Sequence, residues 1–441
     1  MNWKKKIETH DRYLAISFPN TENCLLTNLY DNCTMSVTQD DLAKFQSILK
    51  EEKLSQLASK LIANGLLRFR GQQTVLDQEN DRFPSVVYWG LTDRCNLRCR
   101  YCYGCFGENK EAVPLSRMDA CTIIDRSTEL GVQKINLTGG EASLHPLLFQ
   151  IAEQIRAKGI DCGLLTNAQA ITAENAGKYK VFSYVKVSLD SQYADLNDAC
   201  RGSGSYQKTI ESLSLLRREN IPVSIGCVIN RLNYRQIDSF QQWLEDRFGI
   251  TDVYPAYLTP TGRGTGTGLD LSEDQVLETE NQLFTRLMKD DRYRQRALKK
   301  QNLKRARVST RCGMGMTEVF LNYAGQVYPC RATYEPDMDA GNLLTDPPET
   351  ILDRLHAISD QYDVARLSCR DCDFRFLCSG GCRVYHKAYT GSWTINSPVI
   401  CRRKINEICH SIILNSGLSG ISSYTYQVIS LTSETNQPGR V

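Results

Sequence analysis

The run Cys95-Asn96-Leu97-Arg98-Cys99-Arg100-Tyr101-Cys102 constrains this chain more than any other stretch. It sets three cysteines in a Cys-x3-Cys-x2-Cys spacing, just after a predicted strand over residues 85–91 that ends in Thr92-Asp93. A loop this short wraps three thiolates around one [4Fe-4S] cube, and three protein ligands for four irons leave one iron open. An open iron is a reactive site and not only an electron store. A ligand bearing an amine and a carboxylate chelates it. A zinc knuckle or three unpaired thiols are the plainer readings of the same residues.

The chain has 441 residues, too many for a single ordinary core, so two or three domains are expected. Hydrophobic residues make up 41% and charged residues 23%, the balance of a soluble globular protein. A net charge of +3 is too small to argue for nucleic acid, and no stretch is apolar for long enough to cross a bilayer. Eighteen cysteines are the abnormal feature. Met1-Asn2-Trp3-Lys4-Lys5-Lys6 does not read as a signal peptide. Thiolate clusters in a reducing cytoplasm therefore explain the count better than a disulfide scaffold.

Beyond the cysteine loop, predicted strands at 134–137, 162–165, 185–189, 223–229 and 253–258 alternate with helical stretches such as 147–158 and 206–218. This alternation implies an α/β fold with parallel strands and crossover helices. Ligands of such sheets lie at the C-terminal strand ends, and polar motifs cluster there. Thr138-Gly139-Gly140-Glu141 offers glycines for close backbone approach and a carboxylate for an ammonium group. Thr166-Asn167 and Ser188-Leu189-Asp190 offer groups suited to ribose hydroxyls. Arg201, in Cys200-Arg201-Gly202-Ser203-Gly204, offers a fork that fits a carboxylate. Asn230 ends the fourth of these strands, and Gly262-Arg263-Gly264 follows the last, with Arg263 facing either cofactor or substrate. His145 reads as structural, and Cys121, Cys162, Cys200 and Cys227 as buried small hydrophobes.

The cysteine spacing, with Tyr101 before the last cysteine, resembles the signature of the radical S-adenosylmethionine (SAM) family. The resemblance implies a partial (β/α)6 barrel and an open iron that binds the methionine end of S-adenosyl-L-methionine. It assigns Cys95, Cys99 and Cys102 to the cluster. It assigns Tyr101, Gly139, Gly140, Glu141, Thr166, Asn167, Ser188, Asp190, Arg201 and Asn230 to the cofactor. Cys105 is read as a non-ligand, because a fourth thiolate would block chelation.

A second cysteine field comprises Cys312, Gly325-x4-Cys330, Cys369-x2-Cys372-x5-Cys378-x3-Cys382 and Cys401. It resembles the SPASM extension, and Gly341-Asn342-Leu343 resembles a motif between its halves. That resemblance implies two auxiliary [4Fe-4S] clusters, hence three in all. One would use Cys369, Cys372, Cys378 and Cys401, and the other Cys312, Cys330 and Cys382. The fourth position of the latter is left open, or takes a ligand other than cysteine. Cys409 is unassigned, and zinc is the competing metal.

The first eighty residues read as short strands at 12–18 and 24–29, a helix capped by Thr38, a second helix at 54–63 and a strand at 66–69. This resembles the winged-helix-like modules that bind leader peptides by strand addition; a structural cap is the alternative. The domain plan is therefore 1–80 recognition module, 81–270 barrel, 271–309 helical bridge, 310–415 SPASM domain and 416–441 flexible tail. The basic bridge is either a solvated face or a docking surface. The favoured function is oxidative crosslinking (C–C, ether or thioether) of a ribosomally synthesised precursor peptide. A reducing donor such as flavodoxin or ferredoxin is the expected partner, with no nucleic acid and no membrane. The alternatives are a formylglycine-forming enzyme like the anaerobic sulfatase maturases and a small-molecule cofactor biosynthesis enzyme. Sulfatase maturases carry aspartate after the cysteine matching Cys330, where this chain has Arg331.

Overall fold

The computed structural model describes residues 12–18, 21–29, 33–51, 61, 66, 83–104, 106–107, 115–290, 294–295, 309–416 and 427–431. Leu61 and Leu66 apart, the expected second helix at 54–63 and strand at 66–69 lie outside them, as do Cys105 and most of the basic bridge.

Six parallel strands form the centre: β4 (Val86–Gly90), β5 (Lys134–Thr138), β6 (Asp161–Thr166), β7 (Tyr184–Ser188), β8 (Val223–Ile229) and β9 (Val253–Tyr257), paired in chain order. Alternation decides their two faces. Val87, Trp89, Ile135, Leu137, Leu164, Val185 and Val187 are buried in the main core. Against them pack Ile123 and Ile124 of α2 (Arg117–Glu129), Ile151 and Ile155 of α3 (Leu148–Ala157), and Leu213 and Leu216 of the helix Ser205–Arg218. The other face carries Tyr88, Asn136, Gly163 and Tyr184, which are in register across β4 to β7. This face lines the lumen, and there Tyr184 Oη donates to Asn136 Oδ1 at 2.5 Å.

The sheet does not stop at six strands. β10 (Glu318–Leu321) pairs parallel to β4, and β11 (Val327–Tyr328) pairs antiparallel to β10. The second cysteine field therefore begins inside the barrel sheet, so the expected boundary at residue 310 cuts through one continuous sheet. The Gly341-Asn342-Leu343 turn seals that junction. Val327 N donates to Gly341 O at 2.8 Å, and Arg126 Nη1 of α2 donates to Leu343 O at 2.6 Å.

The bridge helix α4 (Glu273–Lys289) opens with a capping box between Ser272 and Gln275, as its sequence implies. It lies along the helix α5 (Pro398–Asn415).

The N-terminal module is an antiparallel sheet of β1 (Tyr13–Ser17), β2 (Asn23–Asn28) and β3 (Thr34–Thr38), followed by the helix α1 (Gln39–Glu51). Tyr13, Ala15, Leu26 and Phe45 form one buried cluster; Leu14, Ile16 and Leu25 pack against Phe284, Phe374, Ile412 and Ile413 on the other side. Both faces are thus buried. The tail expected to be flexible supplies a fourth strand, β12 (Gln427–Leu431), antiparallel to β1. Gln427-Val428-Ile429-Ser430-Leu431 breaks strict alternation at Val428-Ile429, and the Ser, Thr and Gly around it read as tail. The sheet order is β12-β1-β2-β3, so β3 is an unpaired edge among the described residues.

Candidate active site and cysteine fields

The cysteine loop leaves β4 and folds over the ends of β5 and β6. Gly140 N donates to Thr92 O and Glu141 N to Arg94 O, both at 2.8 Å. A Cβ on Gly139 would stand 2.5 Å from Thr92 O, and one on Gly140 2.4 Å from Arg94 O. The glycines thus admit the loop's own backbone, and not only a ligand. Arg263, left open between cofactor and substrate, instead staples the loop. Its Nε donates to Cys99 O at 3.2 Å and its Nη1 to Phe106 O at 3.0 Å.

Cys95, Cys99 and Cys102 lie close enough for each charge to act on the next, and burial pushes the Cys95 thiol up to about 11. Buried thiols without a cation beside them favour the protonated form. A metal inverts that preference by deprotonating its ligands. Among the described residues, no group of three or more His, Cys, Asp or Glu converges as a single ion requires. Thiolates of a cube bind separate irons and stand wider apart, so three thiols on one tight loop fit a cluster.

The expected cofactor residues divide into two sets. Asp190 and Arg201, expected on the ribose and on the methionyl carboxylate, are instead buried and paired with each other. Asp190 also accepts from Tyr101 Oη and from Val228 N, the latter at 2.8 Å. Asn230 is likewise spent inside its own loop: its Oδ1 accepts from Leu232 N at 2.9 Å and its side chain is 1% exposed. A long fork and a short carboxylate eleven residues apart satisfy each other once buried, and spacing alone does not reveal it. Glu141 is held by Ser143 N, Ser143 Oγ and Thr166 Oγ1 on Oε1 and by Asn167 N on Oε2. Oε1 carries three of these donors and Oε2 only one, so Oε2 keeps an acceptor site for a further donor such as an ammonium group.

The second set remains turned toward the loop or the lumen. Asn167 Nδ2 donates to Asn96 Oδ1 at 2.8 Å and lies 4.0 Å from Cys95 Sγ. Ser188 is half-buried, with no hydrogen bond from its hydroxyl to a described residue. His145 is structural: its Nδ1 accepts from Leu147 N, and burial lowers its pKa.

The second field falls into two groups. Cys312 and Cys330 each feel the charge of Cys382. Cys378 feels Cys369, Cys372 and Cys401. Two residues here take places that the sequence alone does not assign. Arg331 is exposed and stacks over Tyr88 at 5.0 Å on the lumen wall. Arg383 is 1% exposed; among the described residues its guanidinium donates to Gly380 O, Trp393 O and Asn396 Oδ1, and its Nε has no partner there. It lies within Coulombic reach of Cys312 and Cys382 in one group and of Cys369 and Cys378 in the other. The Gly-Gly-Cys-Arg run is the available signal.

Residues 89–244 match the model of the radical SAM superfamily, and residues 312–373 match that of the SPASM iron–sulfur cluster-binding domain. A mycofactocin maturase, MftC of Mycobacterium tuberculosis, is 31% identical over 271 residues, covering 60% of this chain and 68% of the relative. The chain belongs to the radical SAM superfamily. Within it, an AdoMet-dependent heme synthase of Methanosarcina barkeri is 26% identical, covering 71% of this chain and 95% of the relative. Two solved structures share the fold. The anSMEcpe protein with bound AdoMet has a TM-score of 0.63 at 18% identity, covering 76% of this radical SAM chain and 99% of that one. Streptococcus suis SuiB bound to precursor peptide SuiA has a TM-score of 0.58 at 15% identity, covering 87% and 98%. The chain is a radical SAM/SPASM oxidoreductase that uses AdoMet and iron–sulfur clusters. No helix among the described residues is long and apolar enough to cross a membrane.

Proposed function

We propose that this chain is a peptide maturase that oxidises a ribosomally made precursor and closes a C–C, ether or thioether crosslink within it. When bound, the cluster of Cys95, Cys99 and Cys102 with AdoMet supplies a 5'-deoxyadenosyl radical. The residues of the chain do the rest. The Arg201–Asp190–Tyr101 set and Arg263 fix the loop that holds the three thiols. Tyr88, Tyr184 and Arg331 line the lumen where a peptide segment is held. The two later cysteine groups would hold two further [4Fe-4S] clusters, which would supply one-electron acceptors beside the lumen.

The observation that carries this reading is the N-terminal sheet. It is anchored on both faces yet keeps β3 as an open edge among the described residues, the feature a strand-adding leader requires. A relative named as a maturase and a similar fold seen with a precursor peptide support it. Arg331 argues against formylglycine formation, because a guanidinium cannot accept a proton where sulfatase maturases place aspartate.

A second reading, a small-molecule enzyme of cofactor biosynthesis, has its own support. Lys186 Nζ stands 4.1 Å over the Tyr254 ring and Arg331 over Tyr88, so cations face the lumen as an anionic small substrate requires. The M. barkeri relative is also matched along nearly its whole length.

Mass spectrometry decides between the readings. A candidate precursor peptide, co-expressed with the enzyme, should emerge lighter by two hydrogens per bond, with one 5'-deoxyadenosine released for each. An unchanged mass with solvent deuterium incorporated indicates epimerisation, and formylglycine indicates the sulfatase-like class. Absence of any modified peptide, with turnover of an anionic small molecule, moves the chain to the second reading. Reconstituted protein should hold about twelve irons, and Cys102→Ala about eight, by three-cube arithmetic.

A further inference from the structure

The group of Cys312, Cys330 and Cys382 offers three thiols where a cube takes four ligands. Glu318 opens β10 beside them. A turn places it there: Met314 bridges to Glu318, and Gly315 N donates to Pro329 O at 2.8 Å, which ties the segment after Cys312 to the residue before Cys330. Glu318 Oε1 lies 3.9 Å from Cys330 Sγ, the one hydrogen-bond partner of this carboxylate among the described residues. Cys312 and Cys330 each feel both Cys382 and Glu318, so four donors share one locality. Arg331 is near enough for its charge to reach Glu318, but it forms no ion pair with it. A half-buried carboxylate among thiols is an arrangement of like charges. It is favourable when a cationic centre joins them.

We propose that Glu318 is the fourth protein ligand of the first auxiliary cluster. The inference rests on the reading that these cysteines hold a cluster. It closes the iron that the cysteine count leaves open, and it makes this cluster an electron acceptor rather than a second substrate-binding iron. Carboxylate oxygen is a harder donor than thiolate, so the iron it holds is distinct from the other three.

The test uses the reconstituted full-length chain in a Cys95→Ala/Cys99→Ala/Cys102→Ala background, where only auxiliary clusters contribute. Iron content, EPR and Mössbauer spectra are followed during ferricyanide oxidation of this parent, of Glu318→Gln and of Glu318→Cys. An iron without a protein ligand is released: the cube gives one electron to ferricyanide and one Fe2+ to solvent, leaving [3Fe-4S]. The parent should resist this, Glu318→Gln should convert one cluster of two, and Glu318→Cys should resist again with a changed midpoint potential. A parent that converts as readily as Glu318→Gln, or a Glu318→Gln that resists as the parent does, overturns the assignment. Should Glu318→Gln not fold, Glu318→Cys decides alone. A shifted potential with all iron retained supports ligation, and an unshifted one overturns it. A parent holding iron for fewer than two clusters overturns the cluster reading itself, which this measurement separates from the role of Glu318.

Discussion

Arg201 grips Asp190 with two parallel hydrogen bonds, Nε to Oδ2 at 2.8 Å and Nη2 to Oδ1 at 3.0 Å, beneath the cysteine loop. Tyr101, the residue before Cys102, donates to the same carboxylate, so this pair fixes the loop through its aromatic side chain. All three side chains are buried. Asp190→Asn leaves the Arg201 charge buried and unopposed, and breaking such a pair costs about 3–5 kcal/mol. Arg201→Lys keeps the charge but loses the fork, for a smaller loss of about 1–3 kcal/mol. Urea unfolding should rank the variants in that order. AdoMet cleavage should fall further in Asp190→Asn than in Arg201→Lys, because Tyr101 loses its anchor. Equal stability of Asp190→Asn and the parent would remove the pair from this role.

Arg383 supports a prediction about potentials. It is the buried cation common to both later cysteine groups, with no carboxylate partner among the described residues. Net charge and hydrogen bonding around a cluster set its reduction potential, and a nearby cation favours the reduced form. Arg383→Gln should therefore lower both auxiliary midpoints, so that the reduced fraction at a fixed low potential falls roughly tenfold, the scale of one charge at about 12 Å in an effective dielectric of about 20. Arg383→Lys should restore most of it. EPR-monitored redox titration checks both, and iron content separates tuning from cluster loss.

How far this arrangement is readable from sequence differs between its parts. Each strand of the central sheet announces itself, because Val185 and Val187 must face helices while Tyr184 and Lys186 face the lumen. The cysteine groups are readable because thiolate spacing is chemically restricted. What spacing does not show is which polar side chains satisfy one another. Asp190, Arg201, Glu141 and Asn230 are all of the right type for a cofactor, and each is engaged by the chain itself. The β12 strand is hidden for another reason. Its partner β1 lies more than four hundred residues away in sequence, Ala15 opposite Ile429, and no local signal encodes that pairing.

Glu280 makes stability depend on pH. It is buried on α4, and burial lifts its carboxyl to about 7, with Glu407 adding to the rise and Tyr257 Oη donating to it at 2.6 Å. That hydrogen bond, Arg403 and Lys404 act in the opposite direction. The folded pKa lies above the unfolded one, so the folded chain binds the proton more tightly between them. The contribution from Glu280 is complete below the ordinary carboxylate pKa and is lost as pH rises through about 7. Its size is about 3 kcal/mol, because each tenfold gain in proton affinity on folding is worth about 1.4 kcal/mol. Glu280→Gln should flatten that limb of the stability curve, as read by urea unfolding from about pH 5 to about pH 8. A variant with the same slope as the parent would place the pH dependence elsewhere.

Removing the whole N-terminal module is a poor test of leader binding, because it would expose Phe284, Ile412 and Ile413 beside the second cysteine group. The edge itself can be altered instead. Asn28 N donates to Cys33 O and Gln39 N to Glu22 O. With Leu26 opposite Met35, this pattern turns the N–H groups of Cys33, Met35 and Val37 toward β2 and those of Thr34, Ser36 and Thr38 outward. Ser36 is exposed on that outer side. Ser36→Pro removes one outward donor and leaves the ladder to β2 intact, a position where an edge strand tolerates proline. Leader affinity measured by titration calorimetry should fall about tenfold for one lost backbone hydrogen bond and the steric block beside it. Iron content and uncoupled AdoMet cleavage should stay at parental levels. Met35→Pro, whose N–H faces β2, should instead destabilise the sheet. Undiminished leader affinity in Ser36→Pro would take recognition away from β3 and leave the module a structural part of the interface with α5.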